Sequence, residues 1–222
     1  MERQHTIKQY DLELKEIRSR LLEMGGSVEQ MIGNSMKSLV ERDTALAEAT
    51  IEFDHQINRM EIEIDEKCLQ VLALRQPAAR DLRFITLALK IVTDLERIGD
   101  QCRNIAKHAR KLNIEPPLKP YIDLPRMAEA AATMVREALD AFVRGDAELA
   151  LKVCKDDVFV DQLNQQINRE LITFMISDPT TITRAIRVNA VAKCLERVAD
   201  HATNVAEMVI FMVKGKDIRH TA

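Results

Sequence analysis

Leu95-Glu96-Arg97-Ile98-Gly99-Asp100-Gln101-Cys102-Arg103-Asn104-Ile105-Ala106 decides how this chain is read, because 100 positions later it returns as Leu195-Glu196-Arg197-Val198-Ala199-Asp200-His201-Ala202-Thr203-Asn204-Val205-Ala206. Leu, Glu, Arg, Asp, Asn and Ala recur at matching places, and Ile98/Val198 and Ile105/Val205 are conservative exchanges. At about 3.6 residues per helical turn, positions i, i+4 and i+8 nearly align, so Glu96, Asp100 and Asn104 form one stripe and Glu196, Asp200 and Asn204 its copy. Two acids four apart on a helix repel by a few tenths of a kcal/mol. The same penalty taken twice at the same place asks for a reason.

The repeat divides 222 residues into two related halves. Outward from each copy, apolar positions keep helical spacing. Leu14, Ile17, Leu21, Met24, Val28, Met31 and Leu39 predict a first helix from about Asp11 to Glu41, weakened and open to a kink at Gly25-Gly26. Asp43 caps a second helix that Gln76-Pro77 interrupts, and a third runs to Leu112. The stretch from Asn113 to Pro125 holds four of the six prolines and is read as a non-helical boundary. The plan then repeats: a helix over about 126–143, a turn at Gly145-Asp146, a second helix, a joint at Asp178-Pro179, and a third helix to about Lys214. The remaining two prolines sit at the same joint of each half. The fold class is all-α, two antiparallel three-helix bundles in tandem, with residues 1–112 as the first, 113–125 as a Pro-rich linker and 126–222 as the second.

Charge removes several function classes. The formal net charge is -3, from 32 basic and 35 acidic residues, which leaves no electrostatic footprint for nucleic acid. No run reaches the roughly 18 to 20 apolar residues that span a bilayer, and the opening Met1-Glu2-Arg3-Gln4-His5 has no signal-peptide pattern. Cys68, Cys102, Cys154 and Cys194 are far apart and each lies in a helical apolar pattern, as reduced core residues of a cytosolic protein do. No phosphate-binding glycine loop, G-x-S-x-G or Ser/His/Asp order is present, so no catalytic residue is assigned. Glu52 to His55 and Glu2 to His5 have di-iron spacing, but such sites need the pair on facing helices. His55, His108 and His201 read as ordinary polar-face residues.

The acids are the remaining chemistry. Glu96 and Asp100 lie about 100° round from the seam of Leu95, Ile98, Cys102 and Ile105, at the shoulder of a bundle. Aligning Asp43 with Asp146 superposes Asp54 and Asn58 on Asp157 and Asp161, and Glu61 and Asp65 lengthen the first stripe. If second and third helices are neighbours, each half faces carboxylates towards carboxylates. A hard ion such as Mg2+, Ca2+, Mn2+ or ferric iron relieves that repulsion. The alternative is surface acids paired to Arg97, Arg103, Lys193 or Arg197.

Two halves that each carry L-E-R-[IV]-x-D-x-x-x-N-[IV]-A, with Pro77-Ala78-Ala79-Arg80-Asp81-Leu82-Arg83 ahead of the first, resemble the PhoU family along essentially the whole chain. That resemblance implies a cytoplasmic negative regulator of the phosphate-starvation response, coupling the ATPase subunit of the phosphate ABC transporter to a membrane sensor histidine kinase. It also implies metal, divalent or ferric (iron, zinc, manganese or magnesium), at Asp54, Glu96 and Asp100 in the first half and at Asp157, Asp161, Glu196 and Asp200 in the second. Asn58 stands where the pattern has an acid, which singles out the second site. Met31, Met36 and Leu39 offer a seam for a homodimer. A metal-dependent enzyme built on the same carboxylates, which requires an enclosed pocket, and an inert helical bundle are the competing functions.

Overall fold

The computed structural model describes the backbone of residues 2–215 and side chains from Lys8 onward. Six helices follow in order: α1 (Glu2–Val40), α2 (Thr44–Arg75), α3 (Ala79–Leu112), α4 (Asp123–Arg144), α5 (Ala147–Ser177) and α6 (Ile182–Lys214). The Glu2 to His5 spacing falls outside the described side chains, and Glu52 and His55 are exposed on α2, with no metal-holding group of three or more His, Cys, Asp or Glu among the described residues.

Turn chemistry places the helices. Asp43 Oδ1 accepts from Leu46 N at 2.9 Å and caps α2. Asp146 Oδ1 accepts from Glu148 N and Leu149 N, both at 3.0 Å, and caps α5. Gly145 supplies the left-handed residue (φ +66°) that ends α4 and lets the chain reverse within two residues. Asp178 accepts from Thr180 N at 2.9 Å, and Pro179–Thr181 make one 3-10 turn before α6. Such short connections force neighbouring helices to run antiparallel.

Helices α1, α2 and α3 pack on one another, as do α4, α5 and α6. The two bundles then join side by side, α3 against α6 and α1 against α4, around one continuous apolar core. The seam residues Leu95, Ile98, Cys102 and Ile105 and their copies Leu195, Val198, Ala202 and Val205 are all buried there. Met31, Met36 and Leu39 are 5% exposed or less. The homodimer seam expected of them is overturned, because packing of α1 within its own chain already buries all three, and the cavity beside Met36 is shared by α1 and α4.

Gly25-Gly26 causes no break in α1. A Cβ at Gly25 would lie 2.1 Å from Leu139 Cδ1, so this glycine is a notch that lets α4 approach α1, whereas Gly26 faces open space. The non-helical stretch is 113–122. Asp123-Leu124-Pro125 already belong to α4, because proline is tolerated in a first turn whose N–H groups have no intrahelical partner. The stretch is pinned rather than slack. Arg42 donates to Asn113 O and Glu115 O, both at 2.7 Å, Arg184 Nη1 donates to Pro116 O at 3.0 Å, and Arg187 pairs with Glu115.

Candidate functional site

The acids lie along the ridges where the second and third helices of each half meet. In the first half, α2 presents Asp54, Asn58 and Glu61 at i, i+4 and i+7, and α3 presents Glu96 and Asp100. Close approach of the two helices is built in: a Cβ at Gly99, between Ile98 and Asp100, would stand 3.2 Å from Ile57 Cγ2. The corresponding residues of the second half are Ala199 and Val160, where the larger side chain on one helix meets a smaller one on the other. Both pairs are buried.

The same alignment pairs Glu61 with Asn164, and Asn164 Nδ2 donates to Glu196 Oε1 at 3.4 Å. Amide and acid have therefore exchanged places between the halves, Asn58 and Glu61 against Asp161 and Asn164. Leaving aside Asp65, which extends the first ridge, each carries four carboxylates: Asp54, Glu61, Glu96 and Asp100, and Asp157, Asp161, Glu196 and Asp200. The shortage of acid expected from Asn58 does not exist once Glu61 is counted. Its signal was the register already fixed by Asp43 and Asp146.

What separates the ridges is a cation. Asp54 is only 1% exposed, and Arg103, a turn beyond Asp100 on α3, reaches it with Nη1 while its Nη2 pairs with Asp100 Oδ1 at 2.6 Å. Arg97 stands 3.5 Å from Glu96 Oε2 and 3.6 Å from Asp100 Oδ2. Glu96 is nonetheless pushed above the usual carboxylate range, by burial and then by Asp100. Glu61 is also raised, by burial and then by Glu96 and Asp65, and burial alone raises Asp65.

In the second half Thr203 replaces Arg103. Lys193 sits against Glu196 Oε2 in an ion pair not aligned as a hydrogen bond. Among the described residues, Asp157, Asp161 and Asp200 have no ion-pair partner. Burial, followed by the charges of Asp161, Asp200 and Glu196, pushes the Asp157 carboxyl up to about 6, which the Thr203 hydroxyl beside it only partly offsets. Asp200 is raised by burial and then by Glu196 and Asp161, with Lys193 and His201 opposing.

All seven sequence-derived residues thus fall on two ridges, Asp54 with Glu96 and Asp100, and Asp157 and Asp161 with Glu196 and Asp200. Their donor atoms are all oxygen, as hard ions prefer. Among the described residues, no three His, Cys, Asp or Glu side chains converge closely enough to enclose an ion. Asp200 is exposed and its three partners are half-buried, so the second ridge is an open ledge.

Between the bundles, His201 Nδ1 lies 2.8 Å from Asp94 Oδ1, and Asn204 Nδ2 donates to the same oxygen at 3.4 Å. His201 therefore ties α6 to α3. Cys68, Cys102 and Cys194 are buried, Cys154 is half-buried, and all four are free thiols. Among the described residues, no helix is long and apolar enough to cross a membrane.

A profile of the PhoU domain matches this chain twice, over residues 21–109 and 124–209. The phosphate-specific transport system accessory protein PhoU homolog of Pseudomonas putida is 45% identical over 218 residues, covering 97% of this chain and 85% of that protein. The accessory protein PhoU of Escherichia coli K12 is 35% identical over 216 residues, covering 97% and 90%. Among solved structures, PhoU from Pseudomonas aeruginosa superposes with a TM-score of 0.89 at 44% identity, over 93% of this chain and all of that one. The phosphate transport system regulatory protein PhoU from Streptococcus pneumoniae gives 0.86 at 28% identity, over 94% and 99%.

Proposed function

The chain belongs to the PhoU family, and on that premise we propose that it regulates phosphate transport as a non-enzymatic accessory protein. It acts in the cytoplasm as a negative regulator of the phosphate-starvation response, an adaptor between the ATPase subunit of the phosphate ABC transporter and the membrane sensor histidine kinase. The relatives' own names, accessory proteins of the phosphate-specific transport system, support the transporter side. Docking surface is available: α5 exposes Val158, Phe159, Ile172 and Ile176, and α2 exposes Ile62, Leu69 and Leu74. Pull-down of the purified ATPase subunit and the kinase's cytoplasmic portion, with and without Mn2+, tests the adaptor role. Retention of neither partner in either condition removes it.

The metal belongs to the same proposal. The observation that carries it is the bare second ridge, where burial first and then Asp161, Asp200 and Glu196 push the Asp157 carboxyl up to about 6, with no ion-pair partner among the described residues to offset them. A divalent or ferric ion bound by Asp157, Asp161, Glu196 and Asp200 supplies the missing positive charge. Asp54, Glu96 and Asp100 form the first site, where the ion competes with Arg103. Each side chain's part is to turn a carboxylate oxygen towards the ion, and Asp157 gives up its proton as the ion binds. Metal analysis of protein purified without chelator tests this: Glu196→Ala/Asp200→Ala carries less metal than the parent chain, and equal content in the two discards the second site. The protein works as a homodimer in this reading, and a monomer mass by light scattering discards that part.

A further inference from the structure

Far from the acid ridges, the start of α3, the side of α1 and the ends of α4 and α6 enclose a cavity of about 320 Å3. Arg18, Arg80, Arg83 and Arg144 line it, against a single carboxylate, Asp81. This concentration of positive charge stands out in a chain whose net charge is -3. Its floor is aromatic: Phe84 and Phe142 stack with ring centroids 5.2 Å apart, and the Arg18 guanidinium sits 4.5 Å over the Phe84 ring.

Few carboxylates engage these cations. Among the described residues, Arg18, Arg80 and Arg83 have no ion-pair partner, and Arg144 has only Asp140 at 3.6 Å. Asp81 does not serve them, because its Oδ2 accepts from Tyr10 OH at 3.0 Å. The second half handles its joint differently. Its arginines, Arg184 and Arg187 in the first two turns of α6, are consumed by Pro116 O and Glu115 of the linker. The first half has no such internal acid to offer. The amino end of α3 meets the carboxyl ends of both α4 and α6 here, so the helix dipoles sum to a small negative contribution and the positive potential comes from the guanidinium groups.

We propose that this cavity binds a compact anion bearing two or more phosphate groups, either free polyphosphate-type anion or a nucleoside di- or triphosphate. Guanidinium forks match phosphate oxygens two at a time, and several forks around one pit suit a multiply charged ligand better than a lone carboxylate. A pit of this size lies at the small-molecule end of ligand sites and is too short for an extended peptide strand. The inference stands on this cavity alone and does not depend on the adaptor reading or on metal.

Titration calorimetry of the full chain in phosphate-free, chelator-containing buffer, with sodium pyrophosphate and ATP as probes, tests it. Both probes bind once per chain, and affinity falls as salt rises. Pyrophosphate equal to ATP means that the phosphates alone are read; ATP tighter by roughly tenfold or more means that the nucleoside is read too. Arg80→Ala/Arg83→Ala weakens either probe by about tenfold or more, and Arg80→Lys/Arg83→Lys recovers only part, because an ammonium lacks the fork. Both residues are exposed, so the variants keep the parent's melting temperature, whereas Arg126→Ala/Arg169→Ala, remote from the cavity, leaves binding unchanged. No binding of either probe, or binding indifferent to Arg80 and Arg83, overturns the proposal. So does an acidic Glu-rich peptide that binds through these arginines more tightly than pyrophosphate.

Discussion

Replacing Asp157 by Asn tests the electrostatics of the second ridge with the sign fixed in advance. The folded protein holds this carboxyl at about 6 against the ordinary aspartate value of 3.8. At roughly 1.4 kcal/mol for each pH unit, ionising it in the folded state costs up to about 3 kcal/mol. The folded value lies above the unfolded one. Stability from this group is therefore complete below the unfolded value and lost as pH rises through the folded one, between roughly pH 4 and 6. In the presence of EDTA, Asp157→Asn is expected to exceed the parent chain by up to about 3 kcal/mol near pH 7.5 and to match it near pH 4. Urea unfolding followed by far-UV circular dichroism at both pH values gives the two differences. An ion at about 100 times its dissociation constant restores about 2.7 kcal/mol to the parent chain and little to the variant. An Asn variant less stable than the parent near pH 7.5 without metal, or a gap that stays constant towards pH 4, refutes the reasoning.

Other expectations follow from the packing. Arg103→Ala strands Asp54 as a buried charge and lowers the urea unfolding free energy by about 3 kcal/mol; Asp54→Asn on the same background recovers most of it, and failure of that rescue points to lost packing instead. Gly26→Ala raises stability by about 1 kcal/mol through helix propensity, whereas Gly25→Ala gains nothing because its Cβ meets Leu139; thermal melts of the two variants compare them directly. A double-mutant cycle of Asp94→Ala and His201→Ala gives a coupling of about 1 to 2 kcal/mol, and zero coupling means that their contact between the bundles contributes nothing.

Helix number, order and caps were legible in the sequence because they depend on neighbours. Asp43, Asp146 and Asp178 bond to amides two or three residues away, and the Pro77 and Pro179 joints act on their own backbone. The duplicated L-E-R-[IV]-x-D motif placed four of the acids on equivalent faces without knowledge of the packing. Two sequence signals were present and undervalued. Glu61, whose counterpart is Asn164, restores the acid missing at Asn58, and the exchange of Arg103 for Thr203 separates a neutralised ridge from a bare one.

What the chain could not state alone concerns contacts between residues distant in sequence. Met31, Met36 and Leu39 look like a free apolar seam until packing of α1 against α2, α3 and α4 buries them. Gly25 looks like a weak point until Leu139 fills its notch. His201 looks like a surface residue until Asp94, 107 positions away, meets it. Arg80 and Arg83 look like the solvated start of a helix until Arg18 and Arg144 arrive from α1 and α4 to close a cavity around them. By itself the sequence determined six amphipathic helices in two copies, with their acids at the shoulders, because propensity, capping and periodicity are local. Only the tertiary structure decided which charges face each other and with what partner. Coulomb energy and desolvation depend on separation in space, and separation along the chain does not report it.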